Sequence, residues 1–173
     1  DKITYKGIIA NLGVRFNYWA PGKFADDVVN NPNAPVIDQV REDYKSNTVK
    51  VFGLRYKARV LPKINVSFPV TSNNVLYFNY SHSMRLPHPR FVYAGLDPEF
   101  QDRSFLSFLG NPDLNPEVNV SYEVGYKSQI GKNIGLTLAA YNNNRFDYIV
   151  SRRVIVNDQT GRPVSKTMYI NQD

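Results

Sequence analysis

The chain has 173 residues, a formal net charge of +6, 42% hydrophobic and 13% aromatic residues, and no cysteine. The missing cysteine excludes disulfide frameworks, thiolate zinc sites and cysteine nucleophiles together. No apolar run approaches the roughly 20 residues of a membrane-spanning helix, whereas membrane-crossing strands alternate their two faces, leave no such run and stay open as a class.

In chain order, the first predicted element runs from Gly7 to Trp19. Its even positions read Ile8, Ala10, Leu12, Val14, Phe16 and Tyr18, and its odd ones include Asn11, Gly13, Arg15 and Asn17. Successive strand side chains point to opposite faces, so this two-residue period predicts one apolar face and one polar face. Ala20, Pro21 and Gly22 stop it. A second strand is expected from about Val60 to Phe68, led into by Phe52 to Arg59, with Ile64, Val66 and Phe68 opposite Lys63, Asn65 and Ser67. Thr71, Ser72, Asn73 and Asn74 carry turn chemistry, after which Leu76, Phe78 and Tyr80 alternate with Tyr77, Asn79 and Ser81. That pattern predicts a hairpin with a short turn.

A fourth stretch, Val118 to Ile130, sets Val118, Val120, Tyr122, Val124 and Tyr126 against Asn119, Ser121, Glu123, Gly125 and Lys127. Gly131, Lys132 and Asn133 turn it into a fifth, where Ile134, Leu136, Leu138 and Ala140 oppose Thr137, Ala139 and Tyr141, with extension towards Val150 expected. The connections alternate in length: tight turns at 68–75 and 130–134, and long Pro-rich or charged segments at 20–50, 82–117 and 151–166. Outer-membrane barrels sort their loops this way, with tight turns at one rim and long loops at the other. Within the last segment, Val154 to Val156 and Arg162 to Val164 flank residues 157–161, which reads either as a small projecting hairpin or as an irregular loop.

Little in the sequence carries reaction chemistry. His82 and His88 are the only histidines and stand at a strand–loop junction without thiol partners or helical spacing. Asp26, Asp27, Asp97 and Glu99 fall in loops and do not follow the ligand ladder of a calcium loop. No nucleophile elbow or phosphate loop occurs, and the glycosylation-like strings beginning at Asn65, Asn79 and Asn119 fall on strand positions. An enzyme, a metal site and a cofactor are not expected. The Lys and Arg residues are scattered rather than striped, so no nucleic-acid partner is expected either.

The string Gly110, Asn111, Pro112, Asp113, Leu114, Asn115, Pro116, Glu117, followed by Ser121, Tyr122, Glu123, Val124 and Gly125, resembles a signature of TonB-dependent receptor barrels, with Asn115 where that family usually has Lys. Residues 61–79 are similar to a periplasmic hairpin of such receptors. Asn11 to Gly22 resembles an ascending strand and loop start of the large receptors common in Bacteroidetes. The resemblance implies an all-β fold: one transmembrane β-barrel segment over residues 1–173, five to eight strands forming an arc of a barrel of about 22 strands. The plug domain and the terminal aromatic strand are not found in it, and the chain begins and ends in strand-like sequence without a secretion signal, as a piece of a longer polypeptide would.

The implied function is energy-coupled substrate uptake across the outer membrane of a Gram-negative bacterium. The implied partners are outer-membrane lipid, the receptor's own plug domain, the TonB complex and a transported ligand of unknown identity. The face bearing Ile8, Leu12, Phe16, Val66, Val124 and Leu138 is expected to meet lipid, with aromatic Tyr18, Trp19 and Tyr80 at the interface. Arg15, Asn17, Glu123 and Lys127 would then face the lumen and are the candidate substrate-binding residues, because charge at the bilayer midplane costs about 2–4 kcal/mol. The same positions could simply solvate the barrel wall. The competing architecture is a soluble or surface β-sandwich acting as a binding or adhesion module, and it differs in having its apolar face sealed by a second layer.

Overall fold

The structure is a computed structural model that describes residues 1–97, 107–158 and 160–172. It divides into two compact units, the first made of residues 1–17, 59–84 and 118–145, the second of 18–58, 85–117 and 146–173.

The first unit is built of long strands: β1 (Lys2–Tyr5), β2 (Ile8–Trp19), β4 (Leu54–Thr71), β5 (Asn74–Arg85), β7 (Glu117–Ile130) and β8 (Ile134–Phe146), several of which continue beyond it. They form one open sheet in the order β1-β2-β4-β5-β7-β8, to which β3 (Val49–Val51) adds through β4. The β4–β5 register pairs Ile64 with Tyr80, Val66 with Phe78 and Phe68 with Leu76, and sets Lys63 opposite Ser81 and Asn65 opposite Asn79. Apolar thus meets apolar across the strands on one face and polar meets polar on the other. The alternation read along single strands holds for the sheet.

Short turns gather at one rim. Lys6 and Gly7 both have positive φ between β1 and β2. A Cβ on Gly7 would lie 2.9 Å from the Pro69 ring, and the Gln129 amide donates to the Asn73 carbonyl at 2.9 Å. The three tight turns are therefore neighbours, while the long connections leave from the other ends of these strands.

The apolar face of this unit is bare. Leu12, Val14 and Phe16 are exposed, as are Phe68, Leu76, Phe78, Val124 and Leu138. Among the described residues, only Leu61, Val118 and Val120 of the buried hydrophobics belong to the first unit. Val118 and Val120 depart from the sequence expectation, because they continue the apolar row of β7 yet are buried while Tyr122 and Val124 further along are exposed. The expected extension of β8 towards Val150 is also corrected: Asp147 takes a left-handed φ of 57°, β8 ends at Phe146, and a new strand starts in a different sheet.

The second unit contains what the sequence reading had as long irregular connections. Helices α1 (Lys23–Asn30) and α2 (Asp38–Asn47) lie in the first of them, and α3 (Pro89–Tyr93) and β6 (Phe108–Leu109) in the second. β9 (Tyr148–Asn157) and β10 (Pro163–Gln172) make a full antiparallel hairpin, far longer than the one expected at its tip, and β10 also pairs in parallel with β6.

This unit has a true core. Val28, Ala34, Val36, Val40, Leu96, Leu109 and Met168 are buried together, with Val154, Val156 and Ile170 packed on them, and Ala25, Val29 and Tyr44 form a second cluster. Ala25, Val28 and Val29 share the inner face of α1 by helical spacing, as do Val40 and Tyr44 in α2. The Arg41 guanidinium ties the two helices by donating to the Val28 carbonyl at 3.4 Å, to the Val29 carbonyl, and to Ala34 O at 2.8 Å and Val36 O at 3.2 Å. It donates to carbonyls at the C-terminal end of α1, where backbone donors of the helix run out.

Candidate functional site

On the polar face of the first unit the side chains organise around Glu123. Tyr77 donates its hydroxyl to Glu123 Oε1 at 2.9 Å, and Asn79 donates its amide to Oε2 at 3.2 Å. The Tyr77 ring lies against Gly125, where an added Cβ would come within 2.2 Å of the ring, and the Lys127 ammonium sits 5.1 Å from the ring centroid. Ser121 donates to Asn143 at 2.6 Å and accepts from Asn119 at 2.8 Å, so Asn119 is engaged within the polar face. Two of the four expected lumen residues, Glu123 and Lys127, are thus brought into one cluster with Tyr77. The other two, Arg15 and Asn17, bond each other at 2.9 Å on β2, with β4 and β5 between β2 and β7 in the sheet. The sequence reading placed Tyr77 and Asn79 on this face but did not single them out as partners of Glu123.

Within the second unit, the segment 110–117 is a structural knot. Gly110 is needed for close approach: a Cβ there would lie 2.6 Å from the Val92 carbonyl oxygen, and the Gly110 amide donates to Ala94 O at 2.6 Å. Asn111 accepts from the Asp113 amide at 3.0 Å and donates to Tyr169 O at 3.0 Å. Asn171 holds both backbone groups of Asn115, accepting at 2.8 Å and donating at 3.0 Å. Beneath them is a charge: Lys57, 5% exposed, donates to Asp113 Oδ1 at 2.8 Å, to the Asp113 carbonyl at 2.6 Å and to Asn115 Oδ1 at 2.9 Å. The sequence offered no cue for Lys57, because its partners lie 56 and 58 positions away.

Several other polar groups serve local contacts. Burial, then the hydrogen bond to Asp26, pushes the Tyr44 hydroxyl well above the ordinary phenol range, and burial raises that of Tyr93, which donates to Pro21 O at 2.6 Å. His88 accepts the Arg90 amide at its Nδ1, and His82 lies 2.5 Å from the Tyr80 hydroxyl, so the two histidines serve separate local contacts. Among the described residues no group of three or more His, Asp or Glu side chains could hold a metal; Glu99 lies outside them.

At the β9–β10 tip, Asp158 Oδ1 accepts from Thr160 N at 2.8 Å, Thr160 Oγ1 at 2.7 Å and Arg162 N at 2.8 Å. Thr160, then the Arg162 amide, holds the Asp158 carboxyl below the usual carboxylate range. The ionised carboxylate therefore steadies the tip above the ordinary titration region near pH 4, and that contribution is lost only as pH falls through the depressed value. A pH titration of carboxyl ¹³C shifts in labelled receptor is expected to show Asp158 protonating below the ordinary aspartates. An ordinary midpoint would count against the tip geometry.

A cavity of about 650 Å³ opens in the second unit, with Val40, Met168 and Ile170 among its apolar lining and Arg152, Arg153 and Gln39 among its polar lining. A second of similar volume, lined by residues 32–38 and 155–158, shares Ile37 and Ile155 with it.

No curated protein matches the chain in sequence. Among solved structures, a double mutant of the Serratia marcescens hemophore receptor HasR, in complex with its hemophore HasA and heme, is similar at 16% identity and a TM-score of 0.46 over 95% of this chain. This chain spans 25% of the length of that one. The family model described as TonB dependent receptor-like, beta-barrel matches residues 1–173. A match over the whole length, on a sheet whose faces alternate as described, settles the family: the chain belongs to the TonB dependent receptor-like β-barrels.

Proposed function

We propose that this chain is part of the wall and outer loops of an outer-membrane receptor that takes up a substrate by coupling to TonB, with a plug domain elsewhere in the same protein. The observation that supports it best is the unit that has strands but almost no core. A sheet whose buried hydrophobics are three in number, and whose row of Leu12, Val14, Phe16, Val124 and Leu138 stands exposed, leaves a large apolar area facing outward. In water such a face invites association, whereas in hydrocarbon it is solvated. The polar face, ordered around Glu123, suits the side turned to a watery lumen and its plug. The sandwich alternative needs a second layer over the apolar row, and within the first unit none of the described residues supplies one.

The test is the location and behaviour of the full-length protein. It is expected to fractionate with the outer membrane, to stay there through carbonate washing, and to migrate faster on gels unheated than boiled. Uptake-dependent growth on its ligand is expected to need TonB. Recovery of folded protein in the soluble fraction without detergent would overturn the reading.

A further inference from the structure

We propose that the cavity between α2 and the β9–β10 hairpin is a binding site for an amphipathic organic anion, with Arg152 as the residue that holds its carboxylate or phosphate. The proposal rests on the receptor function above and names the ligand chemistry of its loop unit.

The argument starts from an anomaly in the hairpin pattern. On β9 the even positions Val150, Val154 and Val156 share a face, and Val154 and Val156 pack on the core with Ile170 and Met168 of β10. Arg152 occupies the same row, directly opposite buried Met168 in the register. An arginine in an apolar row is ordinarily held by a carboxylate or by carbonyl oxygens, or else reaches water. The Arg152 side chain has neither partner: among the described residues it makes no ion pair and no side-chain hydrogen bond. It is exposed and lines the cavity.

Of the two carboxylates in the lining, Asp113 is neutralised by Lys57 and also accepts from Asn47 at 3.0 Å, while Asp43 accepts from the neutral Gln39 amide at 2.9 Å and keeps its charge. The asparagines of the lining are committed as well, Asn111 to Tyr169 and Asn171 to Asn115. Arg153 lines the same cavity, so two guanidiniums stand against the one unneutralised carboxylate of Asp43, which leaves a net positive charge above an apolar floor of Val40, Met168 and Ile170. A guanidinium matches carboxylate and phosphate in two-pronged hydrogen bonds, and the floor matches a hydrocarbon or aromatic body. A volume of about 650 Å³ accommodates a molecule of that kind.

The experiment uses the full-length receptor in nanodiscs and three probes: 4-phenylbutyrate, phenyl phosphate and the uncharged 4-phenylbutyramide, followed by titration calorimetry and by line broadening of the probe signals. The wild type is expected to bind at least one of the two anions at least tenfold more tightly than the amide. Preference between the anions distinguishes a carboxylate ligand from a phosphate one. Arg152→Ala is expected to lose at least tenfold in anion affinity with no change for the amide, and Arg152→Lys to recover part of it. Val40→Trp, which fills the floor from the α2 side, is expected to abolish binding of all three probes. Each variant is checked for outer-membrane residence and heat-modifiable migration, so failure of the anion site in a properly embedded receptor is separable from failure of the receptor reading. Equal binding of amide and anions, absence of any binding, or unchanged anion affinity in Arg152→Ala would overturn the proposal.

Discussion

Lys57→Met is expected to loosen the segment 110–117 more than any other single substitution in the second unit. The ammonium is nearly inaccessible, and the change leaves the Asp113 carboxylate, itself only 14% exposed, without its counter-charge. Removing one partner of a buried ion pair costs about 3–5 kcal/mol, because the survivor keeps its desolvation and loses its compensation. At about 1.4 kcal/mol per tenfold, local opening of this segment becomes more frequent by a factor of roughly 100 or more. Hydrogen exchange at the Asp113 and Asn115 amides of the full-length receptor reads it directly. Replacing both charges together, as Lys57→Met with Asp113→Leu, is expected to restore a large part of the protection, since no orphaned charge remains. Exchange rates that do not move in the single variant would show that the pair contributes nothing to holding this segment.

Val124→Arg is expected to be the most damaging change in the first unit. Val124 is exposed midway along β7, on the apolar face, and an arginine there costs about 2–4 kcal/mol at the centre of a bilayer. Asn65→Arg is the matched control. Asn65 lies on the opposite face, opposite Asn79, whose amide bonds Glu123, and a guanidinium there has a carboxylate within the same polar cluster. Unfolding of receptor folded into liposomes is expected to shift strongly for Val124→Arg and little for Asn65→Arg. Equal effects on the two faces would mean that both are wet.

Those two positions also mark how far the sequence carried. The faces of the long strands were legible because a strand has a rigid two-residue period, and the register confirms residue by residue that Ile64, Val66 and Phe68 meet Tyr80, Phe78 and Leu76. The tight turns were legible from their Asn, Ser and Gly content. The helices were not read, although Ala25, Val28 and Val29 have helical spacing. α1 and α2 are only 8 and 10 residues long and α3 only 5, with Pro21 and Gly22 before α1 and Pro32 and Pro35 before α2, and such punctuation reads equally as loop. Glu123 and Lys127 could be assigned a face, but Tyr77 and Asn79 reach Glu123 from a strand more than 40 positions away, and no local pattern announces a partner at that range. Lys57 was hidden for the same reason, as a charge whose burial depends on a distant segment folding over it.

The ring of Tyr77 resting on Gly125 has a consequence for how β5 and β7 find each other. A two-residue turn fixes the alignment of β4 with β5, but β5 and β7 are separated by a long excursion that sets no alignment at all. Sliding β7 by two residues would push the Tyr77 ring onto the Cβ of Glu123 or Lys127 and break the clasp on the Glu123 carboxylate, so the bare glycine acts as a keyway that admits one alignment and rejects its neighbours.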